Sequence, residues 1–333
     1  NSVPEVSRPA GVLFDSMHFG FYYRPSANRI AFFYAPDTGE SPCCYDTIVS
    51  ESRIASYIGI AKGELPPKEY FGAWRTFPDS CDWSWQETKP YGYYATYYGV
   101  RVFEGAYNYA GMRVVPGWGG SMFEALLPAL FVPEERWGPH SWKLNHPNTV
   151  AAQIYHGLHE AEYGYWGFSP SDNPSPANAN DNYRVYGVDG IGMNPDGYPS
   201  NNDNTYIDHG FAGCRPGKAD PPPPTYTNGV VTPHASFLAL SWAPLESLRN
   251  LANLRRDFDI YGHWGFRDAV NVDTGQVDRH YLSLDQGIIM AAIGNAIGQD
   301  FLRKAWATPQ FRRRLQPVIQ VERFNSTKPR GLR

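Results

Sequence analysis

Charge is scarce in this chain of 333 residues. Asp, Glu, Lys and Arg make up 19%, where roughly 25% is ordinary. The net charge is -4 and the longest basic run is Arg312-Arg313-Arg314, which argues against a phosphate-tracking nucleic-acid binder. No apolar stretch approaches the ~18 residues of a membrane span; the longest, Ile288 to Ile297, is interrupted by Gly294 and Asn295. Cysteine is limited to Cys43, Cys44, Cys81 and Cys214 with no CxxC spacing, so a zinc site is not expected. Adjacent cysteines seldom bond each other, and any bridge is expected to run from Cys43 or Cys44 to Cys81 or Cys214. Such bridges fit a secreted or periplasmic protein, and buried free thiols fit equally well. No signal peptide precedes the opening Asn-Ser-Val-Pro4, as in a mature or trimmed product. A GxGxxG opening a helix, a P-loop and a GxSxG elbow are missing too, which disfavours a nucleotide enzyme and a serine hydrolase.

What the chain has is rings and turns. Phe 18, Trp 10 and Tyr 23 sum to 51, or 15%, beside Gly 32 and Pro 29. That density can bury a sizeable core and excludes intrinsic disorder. Up to Phe33, rings alternate with small residues as in a β-hairpin or irregular extended segment. Apolar spacing predicts a helix from Tyr45 to Ala61, stopped by Gly63, and a short one after Pro66-Pro67. Further helices are expected over Gly119 to Phe131 and from Pro147 to Ala161. Thr232-Pro233 starts another towards Leu254, and Ser283 with Gln286 reads as a capping box for Ile288 to Trp306. Residues of about 172–229 form an Asn, Asp, Pro and Gly-rich insertion, a length that is usually functional when ordered. With no fixed-period repeat and no composition break, 1–333 reads as one mostly helical domain.

Acids embedded among rings are the chemical candidates. Glycosidic cleavage needs two carboxyl groups across the scissile bond, and an unpaired carboxyl beside rings has its pKa raised by desolvation, as a general acid requires. Glu124 sits one turn into an apolar helix after Trp118-Gly-Gly120; the plainer account is a helix acid paired with Arg or Lys. Asp268 follows Trp264-Gly-Phe-Arg267, where a cap or Asx-turn would also explain it. Asp46 opens the first strong helix, so simple N-capping competes. Glu51 and Arg53, two apart, cannot face each other on that helix. Asp172 opens the long loop, His234 follows a helix-starting Pro, and Asp285 reads as a first-turn acid favoured by the helix dipole. Of Trp118, Tyr165, Trp166, Trp242 and Trp264, most belong to the core by ordinary usage, leaving about two to stack on sugar. The oxygen-rich loop (Asp172, Asp181, Asn201, Asn202, Asp203, Asp208) offers Ca²⁺ ligands without EF-hand spacing; no metal or other cofactor is otherwise expected.

Several stretches resemble a known family in its own order. They are Tyr45-Asp-Thr-Ile-Val-Ser-Glu-Ser-Arg-Ile-Ala-Ser56 with Ile60-Ala-Lys-Gly-Glu-Leu-Pro66, Gly117-Trp-Gly-Gly-Ser-Met-Phe-Glu-Ala-Leu-Leu-Pro128, and Tyr165-Trp-Gly-Phe-Ser-Pro-Ser-Asp172. Val231-Thr-Pro-His-Ala-Ser236, Tyr261-Gly-His-Trp-Gly-Phe-Arg-Asp268 and Tyr281-Leu-Ser-Leu-Asp-Gln-Gly287 follow. The set is similar to the glucoamylase-like domain of bacterial endo-β-1,2-glucanases and of the C-terminal region of cyclic β-1,2-glucan synthases. It covers residues 19–311 and implies an all-α (α/α)6 toroid, incomplete or rearranged at its N-terminal side, with short β-hairpins and a cleft at the long-loop end. Where the synthases carry Glu in the Trp-Gly block this chain has Pro170, so it looks more like the hydrolase branch.

The expectation is therefore a glycoside hydrolase acting on a β-linked glucan, foremost β-1,2-glucan. Glu124 and Asp268 are the acid and base, Asp46 is the third candidate, and Glu51, Arg53, Trp118, Tyr165, Trp166, Asp172, His234 and Trp264 contact substrate. Inversion predicts carboxyls about 6.5–9.5 Å apart and retention about 5–5.5 Å; the resemblance implies a proton relay through a substrate hydroxyl, which would allow a longer span. Two alternatives remain open. Another polysaccharide or oligosaccharide could be the substrate, since fold does not fix specificity. A non-catalytic carbohydrate binder on the same fold would pin Glu124 or Asp268 in a salt bridge or turn it from the cleft. The partner is a saccharide rather than nucleic acid or membrane, and oligomeric state is not legible.

Overall fold

A computed structural model of the chain describes residues 3–81, 88–174, 183–193, 214, 226 and 228–327. The protein is mostly helical, and its strands, two to four residues long, pair antiparallel. Among the described residues no helix is long and apolar enough to cross a membrane. The helices are α1 (Pro4–Ser16), α2 (Arg53–Lys62), α3 (Met122–Leu126), α4 (Glu134–Trp137), α5 (Trp142–Tyr155), α6 (Pro233–Leu238), α7 (Pro244–Asp257), α8 (Ser283–Ile297), α9 (Phe301–Trp306) and α10 (Pro309–Gln320). Helix α2 packs on α10, α6 on α7 and α8, and α5 on α3 and α4. One contiguous cluster of buried apolar side chains runs from Ile30 to Phe324 and includes Tyr57, Tyr70, Trp142 and Trp166.

Several sequence expectations shift in register. The opening segment is helical over α1, which buries none of its residues. The hairpin expected there is confined to Tyr23–Arg24 and Arg29–Ile30. Helix α2 begins only at Arg53, while its end is as expected: Gly63 adopts φ 83 and its N–H caps the carbonyls of Gly59 and Ile60. A left-handed φ there favours glycine. Residues 45–50 are instead non-helical, with bridges Thr47 to Trp74 and Val49 to Gly117, and Gly117 in turn bridges Gly192; residues 51–52 form the turn that enters α2. Pro147 lies inside α5 rather than at its start. The run after Thr232 breaks at Pro244 into α6 and α7, and α8 and α9 are separate. Ser283 is the first residue of α8, so its expected capping box is not formed; the capping box stands at Ser121 and Glu124 of α3.

The cysteines pair as Cys43 with Cys44 and Cys81 with Cys214. The expectation that adjacent cysteines avoid each other is corrected, and the second bridge ties residue 214 of the long insertion to residue 81. Of the oxygen-rich loop, Asp172 is described; Asp181, Asn201, Asn202, Asp203 and Asp208 lie outside the described residues.

Arg53 holds the centre. Its five N–H donors go to Glu134 Oε1 (2.7 Å) and Oε2 (3.0 Å) and to the carbonyls of Ser50, Glu124 and Ala125 at 2.7–2.8 Å. Tyr57 and His146 complete the shell around Glu134, whose carboxyl, despite full burial, is held down at about 2 by Arg53 and His146. Removing one partner of such a buried pair leaves an uncompensated charge. Arg53→Ala is therefore expected to cost about 3–5 kcal/mol of stability, read by urea denaturation; a loss below 1 kcal/mol would contradict this account.

Candidate active site

Helix α3 starts against a glycine-rich turn, and that start aims a carboxyl. Ser121 Oγ accepts the Glu124 N–H (3.2 Å), and Glu124 Oε2 accepts from Ser121 N (3.3 Å), Ser121 Oγ (3.0 Å) and Gly119 N (3.1 Å). A Cβ on Gly117 would stand 2.9 Å from the same oxygen, so the carboxyl is seated where only glycine leaves room. Glu124 is 8% exposed and lines a cavity of about 290 Å³ with Phe32, Tyr45, Asp46, Glu51 and Trp118, at the small end of ligand sites. Burial and the nearby Glu51 carboxylate push the Glu124 carboxyl up to about 7, against its hydrogen-bond donors. Asp46 accepts the indole N–H of Trp118. Its carboxyl is raised by burial, with Trp118 and Arg29 opposing.

A second acidic group forms around Asp268. Strands Val230–Val231, Val270–Asn271 and Gln276–Val277 form one antiparallel sheet in which Val270 faces Val231. That register sets Asp268, just before one strand, beside Thr232 and His234, just after its neighbour. Asp268, Asp285 and His234 are 1–3% exposed, and one oxygen of each carboxyl and one ring nitrogen lie within 4.8 Å of one another. Asp268 Oδ2 accepts the Asp172 N–H at 2.6 Å. Burial and the adjacent Asp285 push the Asp268 carboxyl far above the carboxylate range. Asp285 is held down: burial opposes ionisation, but His234 outweighs it. The Tyr183 hydroxyl, raised by burial, feels Asp285, Asp268 and Asp172 and also Glu51 of the cavity.

Residues 86–308 match the family model described as "Putative glucoamylase". The chain belongs to this glucoamylase-like family. It is 29% identical over 300 residues to the cyclic β-(1,2)-glucan synthase NdvB of Rhizobium meliloti, a match that spans 87% of this chain and 8% of the synthase. Its fold resembles a β-1,2-glucanase from Parabacteroides distasonis (TM-score 0.60, 17% identity, 94% of this chain and 40% of that one). It also resembles an endo-β-1,2-glucanase from Chitinophaga pinensis in complex with sophorotriose and glucose (TM-score 0.55, 16% identity, 92% and 63%). This chain thus spans less than two thirds of each of these relatives.

Within this glucoamylase-like chain the expected site residues divide. Glu124, Asp46, Glu51 and Trp118 line the cavity together, and Asp46 is not a helix cap, because α2 begins at Arg53. Asp268 and Asp172 meet in the second group. Trp264 is 71% exposed at the tip of the hairpin Tyr261–Gly262 and Gly265–Phe266, free to take a sugar face. Four expected contacts are corrected. Arg53 has spent its donors in the interior. Trp166 is buried at 1% exposure in the core. Tyr165 donates to Asp257 at the end of α7, and His234 is 1% exposed with both ring nitrogens engaged. Trp242 likewise packs on His146. Sequence reasoning missed Tyr183, a half-exposed ring whose hydroxyl feels acids of both groups, because nothing in a turn-rich loop marks which ring comes near them.

Three-ligand cation geometry occurs at Asp172, Asp278 and His280, whose donor atoms lie within 4.8 Å; His280 Nδ1 is 2.9 Å from Asp172 Oδ2 and 3.2 Å from Asp278 Oδ1. The same spacing at His234, Asp268 and Asp285 does not suit a cation, since hydrogen bonds occupy both nitrogens of His234.

Glu124 gives a pH signature. Folding takes up a proton between the ordinary value of 4.5 and about 7, so stability contributed by the protonated form is complete below 4.5 and lost as pH rises through 7. Gln at this position keeps the cap. Relative to Glu124→Gln, the wild type is expected to lose roughly 3 kcal/mol between pH 4 and pH 8 in urea titrations. A pH-independent difference would show that the carboxyl ionises normally.

Proposed function

We propose that this chain is a glycoside hydrolase that cleaves a β-linked glucan, most plausibly β-1,2-glucan, and that its helices are part of an (α/α)6 toroid. One observation carries the reading: in a cavity under Trp118, Glu124 is the carboxyl whose proton persists up to about pH 7, as suits a general acid. Glu124 protonates the departing glycosidic oxygen. The second carboxyl is Asp268, which acts on water, with inversion at the anomeric carbon; Asp46 is its competitor inside the cavity. Trp118 and the exposed Trp264 offer faces for sugar C–H groups. Similarity to a glucan synthase and to two β-1,2-glucanases supports the substrate class, and Pro170, in place of the synthases' Glu, favours water over a sugar acceptor. Two disulfides fit a secreted or periplasmic site of action.

The non-catalytic alternative expects Glu124 or Asp268 in a salt bridge or turned from the cleft. Among the described residues neither sits in a salt bridge with Arg or Lys, while Asp268 is not among the residues lining the Glu124 cavity.

The test is product release from a panel of glucans, β-1,2-linked included, by wild type, Glu124→Gln, Asp268→Asn and Asp46→Asn. Oligosaccharides from β-1,2-glucan are expected. Glu124→Gln and Asp268→Asn should each lose at least ~100-fold, the scale of general acid–base catalysis; Asp46→Asn should lose less. Product NMR should show the inverted anomer first. Release from another polymer would replace the substrate, and binding without release from any would replace hydrolysis by recognition.

A further inference from the structure

Behind Asp268 stands a chain of groups that the proposed chemistry does not yet use. Asp268 Oδ1 and Asp285 Oδ2 are both buried without a hydrogen-bond donor, although a backbone N–H satisfies Asp268 Oδ2. Two carboxylates this close and this deeply buried repel each other strongly enough to keep a proton on one of them. A proton between them supplies the donor that each lacks.

The neighbouring hydrogen bonds fix which way the chain is polarised. Thr232 Oγ1 donates to the Asp268 carbonyl at 2.7 Å. Its hydroxyl hydrogen is thereby used, so at 2.8 Å from His234 Nδ1 it can only accept. Nδ1 therefore carries hydrogen, and it lies 3.2 Å from Asp285 Oδ2. On the other side of the ring, Ser169 Oγ accepts the Phe123 N–H (3.0 Å) and lies 2.9 Å from His234 Nε2. The Nδ1–H of His234 is thus held by Thr232 beside Asp285, and Nε2 pairs with Ser169. Phe123 precedes Glu124, so the chain also joins the two carboxyl groups of the site through α3.

We propose that Asp285 is the positioning partner of Asp268: the two carboxyls hold one proton and one negative charge as a unit, and the Ser169–His234 pair orients that unit. This rests on Asp268 acting in the hydrolysis proposed above. The surrounding charged groups belong to Asp172, itself paired with His280 and Asp278, and to Glu51, which the Tyr183 hydroxyl feels as well. The pair carries its charge at a pH where a lone buried carboxyl would still be neutral. Asp285→Asn leaves Asp268 to ionise alone, and burial then raises the pH at which it can serve as base.

Two measurements test this. In the NMR spectrum of ¹³C-Asp-labelled wild type, one carboxyl of the pair should stay protonated through pH 8. Both carboxyls ionising below pH 5 would overturn the proposal without any variant. In the second, the acid limb of kcat/KM for Asp285→Asn should move up by one pH unit or more with KM changed less than threefold, and Asp285→Glu should restore part of it. A superimposable pH profile would overturn Asp285's role. If wild type cleaves no glucan while the NMR result holds, the hydrolase reading fails together with the positioning role, and the shared proton alone stands.

Discussion

Arg53 is the interaction on which the site depends. A guanidinium buried with all five donors engaged tolerates little displacement of its acceptors, and three of those acceptors are the carbonyls of Ser50, Glu124 and Ala125. The backbone on either side of the cavity is thus fixed to one rigid fork, with Glu134 neutralising it and Trp142 stacked 4.4 Å away. Glu51 and Glu124 can be brought near each other, against their mutual repulsion, because the turn before α2 and the helix α3 that carry them are held from behind. Arg53 is conspicuous in sequence beside Glu51, yet it supports the cavity from the core and never reaches it.

The same economy of charge explains the protonation of the site. Each acid near the cavity is short of cationic partners: Glu124 meets amide and hydroxyl donors, and Asp268 meets one amide and another acid. A chain with so few charges leaves carboxyls to be satisfied by backbone and by one another, and desolvation then keeps protons on them near neutral pH. Elsewhere Arg75 pairs with Glu322 in the core, while burial also raises the Glu69 and Glu104 carboxyls.

Legibility in the sequence followed the kind of signal involved. Gly63 ended α2 where expected, since a left-handed cap has a residue-specific cause. The capping-box logic was sound but was applied at Ser283, whereas the box that forms is Ser121 to Glu124; spacing alone did not separate them, because a cap needs the chain to turn just there. Helix α1 holds Pro9 in its interior, a residue that argues against a helix in sequence. The start of α2 was misplaced because Ile48 and Val49 continue the apolar recurrence of Ile54, Ala55 and Ile58, whereas Thr47 and Val49 bridge Trp74 and Gly117 instead.

The sequence by itself determined the composition of the site. Motif blocks named the glucoamylase-like family, and scarce charge among rings picked Glu124, Asp268 and Asp46 as acids with unusual surroundings. Tertiary structure decided which of the singled-out residues share a space. It sent Arg53, Trp166 and His234 inward, grouped Glu51 and Trp118 around Glu124, and set Asp285 against Asp268. The reason is physical: a carboxyl's burial and the partners it meets depend on strands and helix ends far apart in the chain, such as Val231 beside Val270. Local spacing encodes the element that carries a side chain but not the element it faces.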